Sequence, residues 1–510
     1  MQVLIQNSNR QVIYHHCVSL VQGSKSPFNL NLMKMKKYSK NICSGLPIHA
    51  CRNSLFLSLY VLVLVLLLHS CDSFVEVDLP SDQLIANGVF EEKSTATAAM
   101  TEVYAKIRGA GLLTGSADGL SVALGNYSDE LDFYGESYLS TLSYYNNSLT
   151  AANIDVKSLW DSSYNQIYSV NAIIEGVEHS KTLPQEYKDQ LKGEALFVRS
   201  LIHFYLANVF GGVPYVSTTD YKTNSNVARN AVADVYAKAK ADLETAILLL
   251  PENYVVADRT RPNKYTAQAL LARVALYEGS WDEASNAASA VLNNTELYAF
   301  ESDLSKIFLN SSTTTVWQLS PENAGGNTYE GATFIFTGGT PPLSAISMGL
   351  MSGFEPGDLR KAAWTKAVTN GSQTWYHPYK YKQKENTSTS MEFSIIFRTG
   401  ELYLIRAEAR ARAGDLIGAK EDLNIIRNTA GLVDTNAISQ DEILQAILRE
   451  RRIELFTEFG HRFFDLKRFG VIDPVLSAVK PGWDSNDALF PIPETEIGLN
   501  PNLEPQNPGY

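Results

Sequence analysis

Cysteine is confined to one end of this 510-residue chain: Cys17, Cys43, Cys51 and Cys71, and none beyond. The long remainder therefore has no disulfide framework, no thiolate metal site and no cysteine nucleophile, and must fold by packing alone. Histidine is nearly as scarce there. His179, His203, His377 and His461 stand far apart, with no HExxH and no close pair, so no histidine-held metal is signalled. Walker-type phosphate loops and GxSxG elbows are missing, and Gly109-Ala110-Gly111 follows a helical pattern rather than a strand, so it is no dinucleotide fingerprint. Acidic residues are absent from residues 1–70, which hold seven Lys and Arg; residues 71–510 have 36 basic against 55 acidic residues, a net of −19. A body that acidic repels phosphate backbones, so nucleic acid is not expected as a partner and a neutral ligand fits better.

In place of those signals the N-terminus carries an address. Basic residues 34–40 (KMKKYSK) precede an unbroken apolar run of 14 residues at 55–68 (LFLSLYVLVLVLLL). A spanning helix needs about 20. A basic start, a short apolar run and small residues after it describe a secretory signal. Leu68-His69-Ser70-Cys71 resembles the lipobox of bacterial lipoproteins, where the thiol is alkylated by a diacylglyceryl group and the peptide is cut before it. His69 departs from the small residue usual at that position. Cys71 is the expected lipid anchor, and several acyl chains on one residue hold stably where one would be marginal. Residues 1–34 read as an upstream extension with Met33 or Met35 the expected start, 35–70 as the signal peptide, and 71–510 as a single mature body. The acidic stretch Asp72, Glu76, Asp78 resembles a surface-export signal of Bacteroidetes lipoproteins.

The mature body reads mostly helical. Apolar spacing predicts helices over 94–108, 159–178, 184–210 and 232–250, punctuated by Gly109, Gly211-Gly212, Pro214 and Pro251. Two helical hairpins come next: 265–278 with 282–292, joined at Gly279-Ser280-Trp281, and 402–413 with 416–427, joined at Gly414-Asp415. Small residues on the facing sides (Ala269, Ala272, Ala275, Ala284, Ala288) resemble tetratricopeptide-type packing, where alanines let helices approach closely. Between them, 300–395 is rich in Ser, Thr, Gly, Asn and aromatics and predicts long loops with short strands; Pro- and Asn-rich 481–510 predicts extended chain. The fold class expected is all-α, a tetratricopeptide-like helical repeat scaffold with a loop-rich ligand-binding face.

Four segments resemble the SusD/RagB family. They are 193–215 (GEALFVRSLIHFYLANVFGGVPY), 398–432 (RTGELYLIRAEARARAGDLIGAKEDLNIIRNTAGL), 447–470 (ILRERRIELFTEFGHRFFDLKRFG) and 488–510 (ALFPIPETEIGLNPNLEPQNPGY). The resemblance implies a non-catalytic nutrient-binding lipoprotein, lipid-anchored on the outer membrane and facing outside. It implies an oligosaccharide or peptide ligand and a TonB-dependent outer-membrane transporter as partner, with no cofactor and no metal.

The residues that look most chemical have bland readings. Glu450, Arg451, Glu454, Glu458 and Arg462 stand three or four apart and predict pairing along one helix, with Gly460 as its exit. Arg406, Glu408 and Arg410 predict a paired helix face, and His461, Asp465 and Lys467 a hydrogen-bonded latch rather than an acid–base cluster. His203, inside the long helix, reads as a satisfied core histidine. For sugar binding the chemistry asks for aromatic faces beside amides and carboxylates. Two loop clusters supply them. The first spans 126–147, with Tyr127, Phe133, Tyr134, Tyr138, Tyr144 and Tyr145 among Asn126, Asp129, Asp132, Asn146 and Asn147. The second spans 373–383, with Trp375, Tyr376, Tyr379 and Tyr381 beside Gln373, His377 and Lys380; Trp317 and Tyr329 are further candidates. Tyr134, Tyr138, Asp132, Trp375, Tyr376 and Tyr379 are the expected ligand contacts, and no residue is expected to be catalytic. Two rivals remain: a surface glycoside hydrolase using Asp129 or Asp132, and a helical scaffold that binds only protein.

Overall fold

Some helices begin at a side-chain cap and several end at a glycine. The computed structural model describes residues 88–136 and 139–510; the expected signal peptide and the expected anchor at Cys71 lie outside the described residues. Helix α1 (Lys93–Gly109) starts one residue ahead of the expected Ser94, with no side-chain cap. Asn153 opens α2 (Ile154–His179) by accepting from the Asp155 and Val156 amides. Helix α3 (Gln185–Phe210) starts after Pro184 and stops at Gly211, whose φ of 76° suits glycine. Almost every residue of α3 from Gln190 onward is buried, which makes it the central post of the main core. There His203 hydrogen-bonds the Arg199 carbonyl (2.8 Å) and accepts from the Val216 amide (3.1 Å), as a satisfied core histidine does.

Helix α4 (Val232–Leu249) packs on α3, and α5 (Lys264–Glu278) and α6 (Trp281–Leu292) form the first hairpin through left-handed Gly279. The second hairpin, α7 (Thr399–Ala413) and α8 (Leu416–Thr429), turns at left-handed Gly414. Helix α6 packs on α7, so two hairpins far apart in sequence become neighbours in one stack, continued by α9 (Gln440–Glu454). Ala269, Ala272, Ala275, Ala284 and Ala288 are all fully buried, as the close approach of paired helices requires. The scaffold is the mostly helical, tetratricopeptide-like one that the sequence predicts.

The loop-rich layer carries short antiparallel pairs. Strand β1 (Leu131–Phe133) pairs with β3 (Ser344–Ile346), β2 (Thr315–Leu319) with β6 (Ser394–Arg398), and β4 (Thr365–Asn370) with β5 (Gln373–Pro378). Trp317 on β2 is fully buried against Tyr104, Phe197 and Phe397, so it is core and not a ligand ring.

The charged run after residue 449 does not pair along one helix. Helix α9 ends at Glu454, the chain turns through Thr457, Phe459 and Gly460 at positive φ, and α10 (His461–Arg468) starts afresh. Gly460 is thus an entry, not an exit. At its φ of 81° a Cβ would stand 2.2 Å from Leu124 Cδ1. The freed side chains reach across to other elements. Glu454 takes Arg398 (2.5 Å) and Arg360 (2.8 Å), Glu450 takes Arg360 (2.7 Å), and Glu458 takes Arg398 (2.8 Å) and Lys380. Asp465 joins Arg451 to Arg468, which also holds Glu408, while Arg406 and Arg410 share Asp422 on α8. Lys467 donates to the Asn208 carbonyl (2.7 Å), while His461 is buried with its Nε2 3.8 Å from Glu401, so Asp465 and Lys467 rather than His461 make the bonds of the expected latch.

Removing one partner of a buried ion pair leaves a charge uncompensated and costs about 3–5 kcal/mol, whereas an exposed pair is worth about 0–1 kcal/mol. Arg398→Ala is therefore expected to lose about 3–5 kcal/mol in denaturant unfolding, and Lys306→Ala, which loses only the exposed partner Asp303, less than about 1 kcal/mol. Burial raises the Glu454 carboxyl, but Arg398 and Arg360 more than offset it and hold it at about 2, below its ordinary 4.5. A depressed acid stabilises the fold above its unfolded pKa, and that contribution is lost as pH falls. Chemical denaturation of the protein and of Glu454→Gln should thus converge between pH 4.5 and about 2.

Candidate ligand-binding cleft

The cleft is assembled by strand geometry. Along β1 side chains alternate, and Asp132 pairs in register with Ala345 of β3. The next amide, of Tyr134, donates to the Leu343 carbonyl (2.8 Å) and continues the pairing. Across from it, β4 and β5 form a hairpin with a two-residue turn, Gly371-Ser372, between the paired Asn370 and Gln373. Gly371 has φ of 60° and Ser372 does not, the pattern of a hairpin whose first turn residue must be glycine. The second predicted loop cluster is therefore partly a strand: Trp375 and Tyr376 sit on β5.

Asp132, Tyr134, Trp375 and Tyr376 line one open cleft of about 560 Å³, with Thr340, Ile346, Met348, Gln373 and Thr374 completing its walls. The Tyr134 and Trp375 rings meet edge to face, centroids 6.2 Å apart and planes at 82°. Tyr134 is 36 % exposed; Trp375, at 9 %, has its other side packed with Phe336, Ala345 and Val368. Partial burial raises the Asp132 carboxyl above its ordinary value against the pull of Lys480, and burial together with Asp132 raises the Tyr134 phenol.

Other predicted contacts fall elsewhere. Tyr379 does not line the cleft; its ring lies beneath Lys382 (4.2 Å) and Lys366 (4.9 Å). Tyr138 lies outside the described residues. Tyr127 and Tyr144 belong to the main core, and Tyr381 packs on Phe308 while its hydroxyl accepts from the Ile395 amide. Asn126 and Asn147 are buried and bond the Val122 and Tyr127 carbonyls. Aromatic content singled out both stretches, and strand pairing brings Tyr134 of the first and Trp375 and Tyr376 of the second to one cleft. The rim residues Thr340, Ile346 and Met348 carried no sequence signal, since isolated small, apolar and hydroxyl residues are common in any loop.

Asp129 has a different task. Arg462 grips both of its oxygens (2.8 Å each) and Arg452 adds a third contact at 2.9 Å. Burial opposes its charge, but these arginines outweigh it and hold the carboxyl below the usual range. Its neighbour Glu130 is buried beside that charge and pushed up to about 8, and it accepts from the Thr457 amide (3.3 Å). The start of β1 is thereby bolted to the turn between α9 and α10.

Two family descriptions match the chain: one for starch-binding proteins associating with the outer membrane over residues 114–276, and one for the SusD family over 354–510. The chain belongs to the SusD/RagB family. SusD-like protein P2 of Formosa agariphila is 25% identical over 422 residues, spanning 70% of this chain and 81% of the relative. SusD-like protein P38 of the same organism is 25% identical over 425 residues, 72% of this chain and 82% of its own. A SusD superfamily structure from Bacteroides vulgatus superposes with a TM-score of 0.71 at 23% identity, covering 82% of this chain and all of the other. A laminarin-binding SusD-like protein superposes with a TM-score of 0.69 at 23% identity, over 82% of this chain and 99% of the other. At such identities the structures establish the shared fold. In this SusD/RagB chain the cleft draws Asp132 and Tyr134 from the first matched segment and Trp375 from the second, while its rim at 340–348 lies between them.

A Cβ at Gly371 has open space around it, so only backbone strain opposes one. Gly371→Ala should cost about 1–2 kcal/mol in a thermal or denaturant melt, the usual penalty for an L-residue forced to positive φ.

Proposed function

We propose that this chain is a non-catalytic, surface-exposed outer-membrane lipoprotein that binds oligosaccharides in this cleft and delivers them to a partner TonB-dependent transporter. The observation that carries the reading is the open corner of Tyr134 and Trp375 beside Asp132 and Gln373. Ring faces suit the C–H faces of sugars, and carboxylate and amide groups suit their hydroxyls. The outer-membrane description of the family model and the expected anchor at Cys71 support a tethered receptor. Tethering ligand-binding protein and transporter in one membrane raises their effective concentration, so modest affinity suffices. The laminarin-binding relative and the surface glycan-binding protein A of Bacteroides fluxus support a glycan as ligand. No helix among the described residues is long and apolar enough to cross a membrane.

The hydrolase reading has less support. A glycosidase needs two carboxyl groups flanking the scissile bond. Asp132 is the one carboxylate among the described lining residues, and Asp129 is locked between two arginines. The pure scaffold reading does not account for an open aromatic cleft.

Calorimetry of residues 72–510 against glycans and peptides, followed by product analysis, tests the proposal. Binding without product is expected. Tyr134→Ala and Trp375→Ala should each weaken it about tenfold or more, as loss of a stacking ring does. Tyr379→Ala should change affinity by less than about twofold, since that ring lies outside the cleft. Released product would move the assignment to a hydrolase, and silence across the glycans would sink the proposal.

A further inference from the structure

The chemistry of the cleft walls narrows the ligand class, a step that rests on the glycan-binding reading of the same site. Asp132 is the charged residue of the lining; Tyr134, Trp375, Tyr376, Gln373 and Thr374 are neutral, and no lysine or arginine lines the cleft among the described residues. The cations nearby are committed elsewhere. Lys480, whose charge acts on Asp132, turns its ammonium to the Asn126 carbonyl (2.7 Å) and over the Tyr145 ring (3.9 Å). Arg452 and Arg462 are held by Asp129. An anionic ligand group entering here would lose water without gaining a counter-charge, and would face a carboxylate of its own sign. A neutral pyranose meets no such conflict. Its C–H face can lie on one ring of the Tyr134–Trp375 corner while its hydroxyls donate to Asp132.

We propose that the cleft takes uncharged saccharides and turns away chains bearing uronate or sulfate groups, with Asp132 setting that preference. The discrimination is local. The acidic body repels polyanions at long range, but salt screens that field over about 8–10 Å, whereas a contact inside the cleft is screened far less.

The test uses the full chain in a detergent that carries no sugar. Affinities are measured for neutral gluco-oligosaccharides and for sulfated and carboxylated derivatives of the same length, at low and at physiological salt. The neutral ligands should bind at both salts, with the anionic ones at least roughly tenfold weaker. Asp132→Asn should narrow that ratio about threefold or more, while Glu252→Gln, which removes the same charge from an exposed site outside the cleft lining, should leave it unchanged. Anionic ligands binding as tightly as neutral ones, or a ratio indifferent to Asp132→Asn in a variant that keeps its circular dichroism, would overturn the selectivity. A folded chain that binds neither kind fails the glycan-binding reading itself, so the two failures are told apart.

Discussion

Glu454 sits at the end of α9 with arginines from two other elements on its carboxylate, and the organisation of the strand-bearing layer depends on that contact and its neighbours. Arg360 stands just before β4, Lys380 just after β5, Arg398 at the end of β6, and Asp129 with Glu130 just before β1. Each of them is fastened to the stretch from Glu450 to Arg462. Two-stranded sheets are marginal by themselves in water. Here they inherit their positions from a helical scaffold through buried charge pairs. Such pairs add little net stability over apolar residues of equal volume, but they are directional, and a misplaced strand would leave a charge unpaired in the interior.

That direction is what a binding face needs. The cleft has walls from segments more than two hundred residues apart, Asp132 and Tyr134 on one side and Trp375 on the other. Under the proposed reading its rings must keep a fixed corner to meet a flat sugar. The β1–β3 pair and the β4–β5 hairpin meet through Ala345, Val368 and Trp375, and the scaffold holds both through the charged turn. Stability and cleft geometry are therefore joined at the residues 450–462 rather than at the cleft itself.

Much of the scaffold was legible from residue spacing. The alanine-rich hairpins, the Gly279 and Gly414 turns and the stop at Gly211 are local signals, because helix ends and close helix approach depend on residues within a few positions of each other. The charged run was misleading for the same reason. Spacing of three and four suggested pairing along one helix, but positive φ at Thr457, Phe459 and Gly460 breaks the chain there and sends those side chains to distant partners. The aromatic clusters were visible in the sequence only as composition. Their members then divided into core (Tyr127, Tyr144, Trp317), cation platform (Tyr379) and cleft (Tyr134, Trp375).

By itself the sequence determined what is local or additive: an acidic body without metal or nucleophile motifs, a helical class, and four segments in SusD/RagB order. Tertiary structure decided which carboxylates are buried and spent on arginines, and which one, Asp132, faces solvent beside two rings. A side chain's charge and size travel with its letter. Its exposure and its partner depend on segments hundreds of residues away, whose approach is fixed only when the whole core has packed.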